Sequence, residues 1–164
     1  MNLSRVVFMG CVLAGLSSMP MMARDFYYDI HAGVAQLSIK DGDEGAIYTI
    51  GYGVTKTFDN SVVFGVAFDL DAGNIESKKI YGLGGDLKLG YNVWDKLNIY
   101  AIGGYKIQDL DGVEGYGFGY GAGVEYSVTE HIVTAVEYKT YHMSGRNYKD
   151  YDYDTVGLIL KYRF

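Results

Sequence analysis

The sequence predicts an all-β fold, an eight-stranded antiparallel up-and-down transmembrane β-barrel. Segments of about ten residues alternate between large apolar side chains and small or charged ones, which is the length and period of a tilted membrane-spanning strand. The 164-residue chain combines 23 Gly with 17 Tyr. After residue 23, no run of about 18 apolar residues is present, so no transmembrane helix is expected.

Composition excludes several other classes. The net charge of −6 argues against nucleic acid as a partner, because nucleic-acid binding depends on Lys and Arg that neutralise phosphates. A single Cys rules out a disulfide framework and a cysteine-based zinc site. The many aromatic residues argue against disorder. We expect no cofactor and no metal.

Residues 1–23 read as a secretory signal peptide. Arg5 supplies the positive charge, an apolar run extends from Val6 to Leu16, and the small residue Ala23 precedes the expected cleavage site. The apolar run is shorter than the roughly 20 residues that span a bilayer. Residues 24–164 are therefore predicted to form one exported barrel domain.

Eight strands account for the rest of the chain. We place them near residues 26–37, 46–58, 62–70, 80–92, 97–107, 116–128, 132–143 and 153–164. Short connections (59–61, 93–96 and 129–131) alternate with longer polar ones (38–45, 71–79, 108–115 and 144–152). Such alternation is typical of a membrane barrel whose even strand number returns both termini to the periplasm.

The alternation also assigns the two faces of each strand. Bulky apolar residues are predicted to face lipid, while Gly and charged residues face an interior that is narrow in a barrel of about eight strands. Tyr residues near the strand ends are expected to form the two aromatic girdles at the membrane boundaries.

The charges predicted to face inward are balanced. Five acids (Asp29, Asp69, Asp86, Glu125 and Glu137) accompany five bases (Lys88, Lys106, Lys139, Lys161 and Arg163), with His31 beside them. Because isolated buried charges are costly and paired ones are tolerated, we predict an ion-pair network that plugs the lumen. If the two faces of the strands were assigned the other way round, these residues would be the surface charges of a soluble β-sandwich.

The signal peptide, the eight strands and the segment Val156-Gly-Leu-Ile-Leu160-Lys-Tyr162-Arg-Phe164 resemble small outer-membrane β-barrel proteins of Gram-negative bacteria. The likeness is to the outer-membrane-protein-X type and to the barrel of outer-membrane protein A. It implies an integral outer-membrane location among lipid and lipopolysaccharide. It also implies delivery by periplasmic chaperones to the barrel-assembly machinery, with Leu160, Tyr162 and Phe164 as the assembly signal.

One weak candidate for catalysis is present. His142-Met143-Ser144, followed by Asp152, resembles the His-x-Ser pair and later acid of the lipid A deacylase family, in which a Ser–His–acid set would activate a nucleophile. The sequence has no Glu at this place, and its spacing differs from the family pattern. Acidic loops such as Asp41-Gly-Asp43-Glu44 lack an EF-hand pattern and are interpreted as solvated turns.

We therefore predict a non-catalytic barrel with a plugged polar interior. Its predicted role is to support envelope integrity or to contact a surface ligand through its extracellular loops. Two alternatives stay open: a lipid A-modifying hydrolase and a narrow, low-conductance channel.

Overall fold

The predicted fold class is confirmed. The computed structural model describes residues 26–39, 44–75, 78–145 and 150–164, and the predicted signal peptide (1–23) lies outside these ranges. Eight strands form one closed antiparallel barrel in chain order, with β1 also pairing with β8. They are β1 (Phe26–Ile39), β2 (Glu44–Thr57), β3 (Val62–Ile75), β4 (Lys78–Trp94), β5 (Leu97–Leu110), β6 (Val113–Ser127), β7 (Ile132–Gly145) and β8 (Tyr151–Arg163). Within the described ranges, no helix is long and apolar enough to cross a bilayer.

The barrel has two distinct ends. We call the end that carries residues 26 and 164 and the turns 58–61, 95–96 and 128–131 the terminal end, and the opposite one the loop end. At the loop end, residues 111–112 join β5 to β6 in a two-residue hairpin. Asp111 and Gly112 both have positive φ, at 52° and 87°, as a type I′ turn requires.

The strands are longer at the loop end than the sequence predicts. β3 continues to Ile75 instead of ending near residue 70, and only residues 76–77 separate it from β4. The expectation of polar connections of eight or nine residues is therefore wrong. Pairing continues because the inward positions at this level are apolar and pack together across the barrel: Leu37, Ile47, Ile75, Ile80, Tyr141, Met143 and Tyr153. We call these seven residues the apolar cap.

Side chains alternate strictly between the interior and the outer surface. Along β8, Leu158 and Leu160 are exposed outward at 57% and 56%, whereas Lys161 between Leu160 and Tyr162 is buried. Glycines make the interior wide enough for its contents. A Cβ on Gly123 would lie 2.6 Å from the Tyr100 ring, and one on Gly104 would lie 2.3 Å from the Asp86 carboxylate. The absence of a side chain at these two glycines therefore leaves the space that the Tyr100 and Asp86 side chains of the neighbouring strands occupy.

Replacing Gly119 by Ala is expected to destabilise the barrel by about 1–3 kcal/mol, the usual cost of overpacking. The added methyl group would lie 2.4 Å from the ring of Tyr141. Gly103→Ala is the matched control, since Gly103 lies outward with no atom within 4 Å of such a methyl group. Urea unfolding in lipid vesicles, followed by Trp94 fluorescence, measures both; equal unfolding midpoints would contradict the inward packing.

Candidate functional site: the charged barrel interior

All eleven ionisable residues of the predicted network point into the barrel. Nine of them are more than nine-tenths buried, and the other two, Lys139 and Arg163, are partly exposed. Their inward position follows from the period of two, because each sits between bulky neighbours that face outward. Which of these residues pair with one another depends on the register of the strands and on the closure of the barrel.

The centre of the interior is a cluster that joins β4 to β7. Lys88 on β4 contacts Glu137 on β7. Lys139 on β7 reaches back to Asp86 on β4 at 2.5 Å and to the Glu137 carboxylate at 3.0 Å. The Tyr100 hydroxyl donates a hydrogen bond of 2.8 Å to Glu137. Since β4 and β7 are not neighbours in the sheet, the Lys88–Glu137 and Lys139–Asp86 contacts cross the lumen.

His31 connects two carboxylates beside this cluster. Its Nδ1 lies 2.8 Å from Asp29, and its Nε2 lies 2.8 Å from Asp69. When both carboxylates are ionised they can only accept hydrogen bonds, so both ring nitrogens then donate and His31 carries a positive charge. Lys139 lies 3.8 Å from the second oxygen of Asp69 and links His31 to the central cluster.

Glu125 organises the terminal end of the interior. Its carboxylate is 2.5 Å from the Lys161 ammonium group and 2.7 Å from the Arg163 guanidinium. Asn98 donates a further hydrogen bond to Glu125 at 3.2 Å. Two bases on β8 are thus held by one acid on β6, across the intervening β7.

Sequence reasoning missed Asp71. It is buried, 2.6 Å from the Lys106 ammonium group, and it accepts a 2.5 Å hydrogen bond from Thr49. The predicted strand ended at residue 70, although Asp71 continues the inward parity of Asp69. Among the described residues the interior therefore holds six acids and, with a cationic His31, six bases.

The apolar cap was also missed, because its residues look like lipid-facing ones in an alternating pattern. Two polar groups are embedded in it. The Tyr153 hydroxyl donates a hydrogen bond of 3.0 Å to Gln108, and the Gln108 amide donates one of 3.1 Å to Tyr151. The cap lies on the loop side of the Asp71–Lys106 pair, so the interior is layered along the barrel axis.

The weak catalytic candidates lie outside the barrel, at the loop end. His142 Nδ1 is 2.7 Å from the Asp152 carboxylate, and the His142 ring is 5.8 Å from that of Tyr120. Ser144 is exposed on the same outward face of β7. Among the contacts of these described residues, no hydrogen bond joins Ser144 to His142. The structure therefore brings together two of the three residues.

The residues of the predicted assembly signal lie at the last strand and its end. Leu160 and Tyr162 are exposed on the outward face of β8. The Phe164 amide donates a hydrogen bond of 2.9 Å to the Tyr28 carbonyl, and its ring packs edge-on against Tyr162 at 5.4 Å. Within the described part of the chain, no group of three or more His, Cys, Asp or Glu residues is arranged to hold a metal ion.

Comparison with known proteins agrees with this architecture. Residues 9–164 match the model of a family described as outer membrane protein beta-barrel domain. No curated protein sequence matches the chain.

Solved structures with the same fold include small membrane barrels. Neisserial surface protein A is 14% identical, with a TM-score of 0.63 over 85% of this chain and 97% of that one. Ail, the attachment invasion locus protein of Yersinia pestis, is 15% identical, with a TM-score of 0.58 over 85% and 99%. A de novo designed transmembrane β-barrel is 17% identical, with a TM-score of 0.54 over 88% and 100%. At such identities the likeness shows the fold alone.

Glu137→Gln is expected to destabilise the barrel by about 3–5 kcal/mol, because it leaves the buried Lys88 and Lys139 without their shared carboxylate. Glu130→Gln, in an exposed turn, is the matched control and is expected to change the free energy of unfolding by less than about 0.5 kcal/mol. Urea unfolding in vesicles measures both variants. A Glu137→Gln protein as stable as Glu130→Gln would show that the cross-barrel pairs contribute nothing.

Proposed function

The chain belongs to the outer membrane protein β-barrel domain family, and from that premise we propose that it is a non-catalytic protein with a plugged lumen. Integral to the outer membrane, it supports envelope integrity or presents its loop end to surface ligands. Residues 1–23 are the cleaved export signal, and the terminal end faces the periplasm. Its lasting partners are lipid and lipopolysaccharide; the assembly machinery and periplasmic chaperones act during biogenesis, with Leu160, Tyr162 and Phe164 as the signal.

The cross-barrel ion pairs carry this proposal. Lys88 and Lys139 span the lumen between β4 and β7, where a conducting channel would need a continuous water path. Such charges are stable in a low-dielectric interior when they are paired, and a balanced set leaves no excess charge to select passing ions. The apolar cap forms a second barrier nearer the loop end.

The loop end is the surface available to partners outside the cell. Because the strands extend further than expected, paired strand ends reach this surface, and the connections between them are short in sequence. Ail, which shares the fold, is named for attachment and invasion. We propose surface contact as one of the two non-catalytic roles of this chain, with the loop-end connections as the contacting elements.

Planar-bilayer recordings test the plugged lumen. The purified barrel is expected to give no unitary current above the baseline. Glu125→Gln is expected to lower the urea midpoint of unfolding without producing a current, because Glu125 holds both Lys161 and Arg163. An open porin in the same bilayer is the positive control. Steady unitary currents from the unaltered protein would favour the narrow-channel alternative and contradict the plug.

One observation favours the hydrolase as the second candidate. The His142–Asp152 hydrogen bond has the geometry of the base and acid of a triad, and it lies on the outer surface at the loop end. A nucleophile must also contact the base, and Ser144 does not do so here. For this reason the non-catalytic function has the better support.

A deletion strain distinguishes the three roles. Loss of the protein is expected to raise detergent sensitivity or lower surface binding, with the mass of lipid A unchanged, and complementation with Ser144→Ala is expected to restore the normal phenotype. The hydrolase proposal predicts a lipid A mass shift that the unaltered gene reverses and Ser144→Ala does not. That last pattern would overturn the non-catalytic proposal.

A further inference from the structure

A groove crosses the outward face of the barrel between β8, β1, β2 and β3. Its volume is about 640 Å³, within the usual range of ligand pockets. Most side chains that line it are apolar and point away from the barrel interior, among them Tyr162, Ile30, Tyr52, Leu160, Ile50 and Leu70. The groove therefore opens toward the surrounding lipid.

Strand register explains why the surface is concave at this place. Ile30 lies between Tyr162 and Tyr52 in the sheet, and these three form one ridge. The next outward row places Ala32 between Leu160 and Ile50. Because Ala32 carries only a methyl group between two branched neighbours, this row has a gap that its larger neighbours do not fill.

A lysine lies below the groove, toward the terminal end. Lys56 is on the outward face of β2, opposite Phe26, four residues along the strand from Tyr52. Four residues correspond to about 13 Å of extended strand. The Lys56 ammonium group lies 4.8 Å from the centre of the Phe26 ring and 4.9 Å from that of Phe58. Lys56 and both rings lie at the terminal end, which the proposed orientation places at the periplasmic headgroups.

An apolar path connects the lysine to the groove. Tyr28 and Val54 face each other between the two levels, and the Tyr28 and Tyr52 rings are 6.4 Å apart. Tyr rings favour the interface between headgroups and hydrocarbon. The surface thus has, in order, a cation, an aromatic boundary and a hydrocarbon-lined groove, which is the order of groups in a phospholipid.

We propose that this surface binds one phospholipid of the periplasmic leaflet, with its phosphate at Lys56 and one acyl chain in the groove past Tyr28 and Tyr52. The inference rests on the orientation proposed above, with the terminal end toward the periplasm. Lysine binds phosphate as a point charge, so an anionic phospholipid is the preferred ligand. The site opens on the outer face of the barrel, and three residues of the charged interior, His31, Asp69 and Lys161, lie at its inner border.

Native mass spectrometry of the detergent-solubilised barrel, titrated with dimyristoyl phosphatidylglycerol, tests the proposal. The unaltered protein is expected to retain one phospholipid. Lys56→Gln and Ala32→Phe are each expected to weaken binding about tenfold, by loss of the ion contact and by filling the groove. The matched controls are Lys79→Gln, an exposed lysine at the loop end, and Ala122→Phe, an outward alanine on β6; neither is expected to change binding.

Each other outcome has a definite meaning. Full binding by Ala32→Phe and by the milder Ala32→Leu would overturn the groove as the chain site, and full binding by Lys56→Gln would overturn the phosphate contact. Inorganic phosphate alone is expected not to compete, and competition would show a headgroup site without a chain. A dimer that Ala32→Phe dissociates would identify a second copy as the occupant. Conductance recordings and deletion phenotypes test the proposed function, whereas lipid binding tests this inference. The proposed function and the lipid site can therefore fail independently.

Discussion

Backbone pairing around a closed circle is the constraint on which the rest of this structure depends. Within hydrocarbon, water is absent, so each backbone N–H and C=O must find a protein partner. The pairing of β1 with β8 removes the last two free edges. Closure with eight strands also fixes the diameter, and a barrel of that size leaves room for side chains and little else. The contents of the interior follow from that limit.

The inward glycines and the paired charges both follow from the narrow interior of the barrel. Inward side chains that cross to the next strand, such as Tyr100, Tyr141 and Asp86, require a neighbour without a Cβ. Gly123, Gly119 and Gly104 provide it. The charges must then be paired, since water does not screen them there. The pairs between β4 and β7 cross the lumen, and others join strands that are two apart in the sheet. Such pairs oppose deformation of the barrel, which the hydrogen bonds between adjacent strands do not prevent alone.

The outer surface differs in polarity between the two ends. At the terminal end, Lys56 lies between aromatic rings below an apolar groove, an arrangement suited to an amphipathic lipid. At the loop end, polar residues continue onto the outward face of β7 and β8, where Thr140 donates a hydrogen bond of 2.6 Å to Asp154. The apolar cap lies inside at the same end, so polarity there is reversed relative to the middle of the barrel.

The sequence by itself determined the strand number, the face to which each side chain points and the set of charges in the interior, apart from Asp71. These follow from a period of two, which is a local property of the chain. Only the tertiary structure decided which charges meet, since Lys88 finds Glu137 through the register and closure of distant strands. The same holds for the packing of the apolar cap, whose residues alternate in step with the inward charges but resemble lipid-facing residues in size and polarity. It also holds for Ser144, which shares a face with His142 without contacting it. The strand limits at the loop end also depend on packing across the barrel, which no local period encodes.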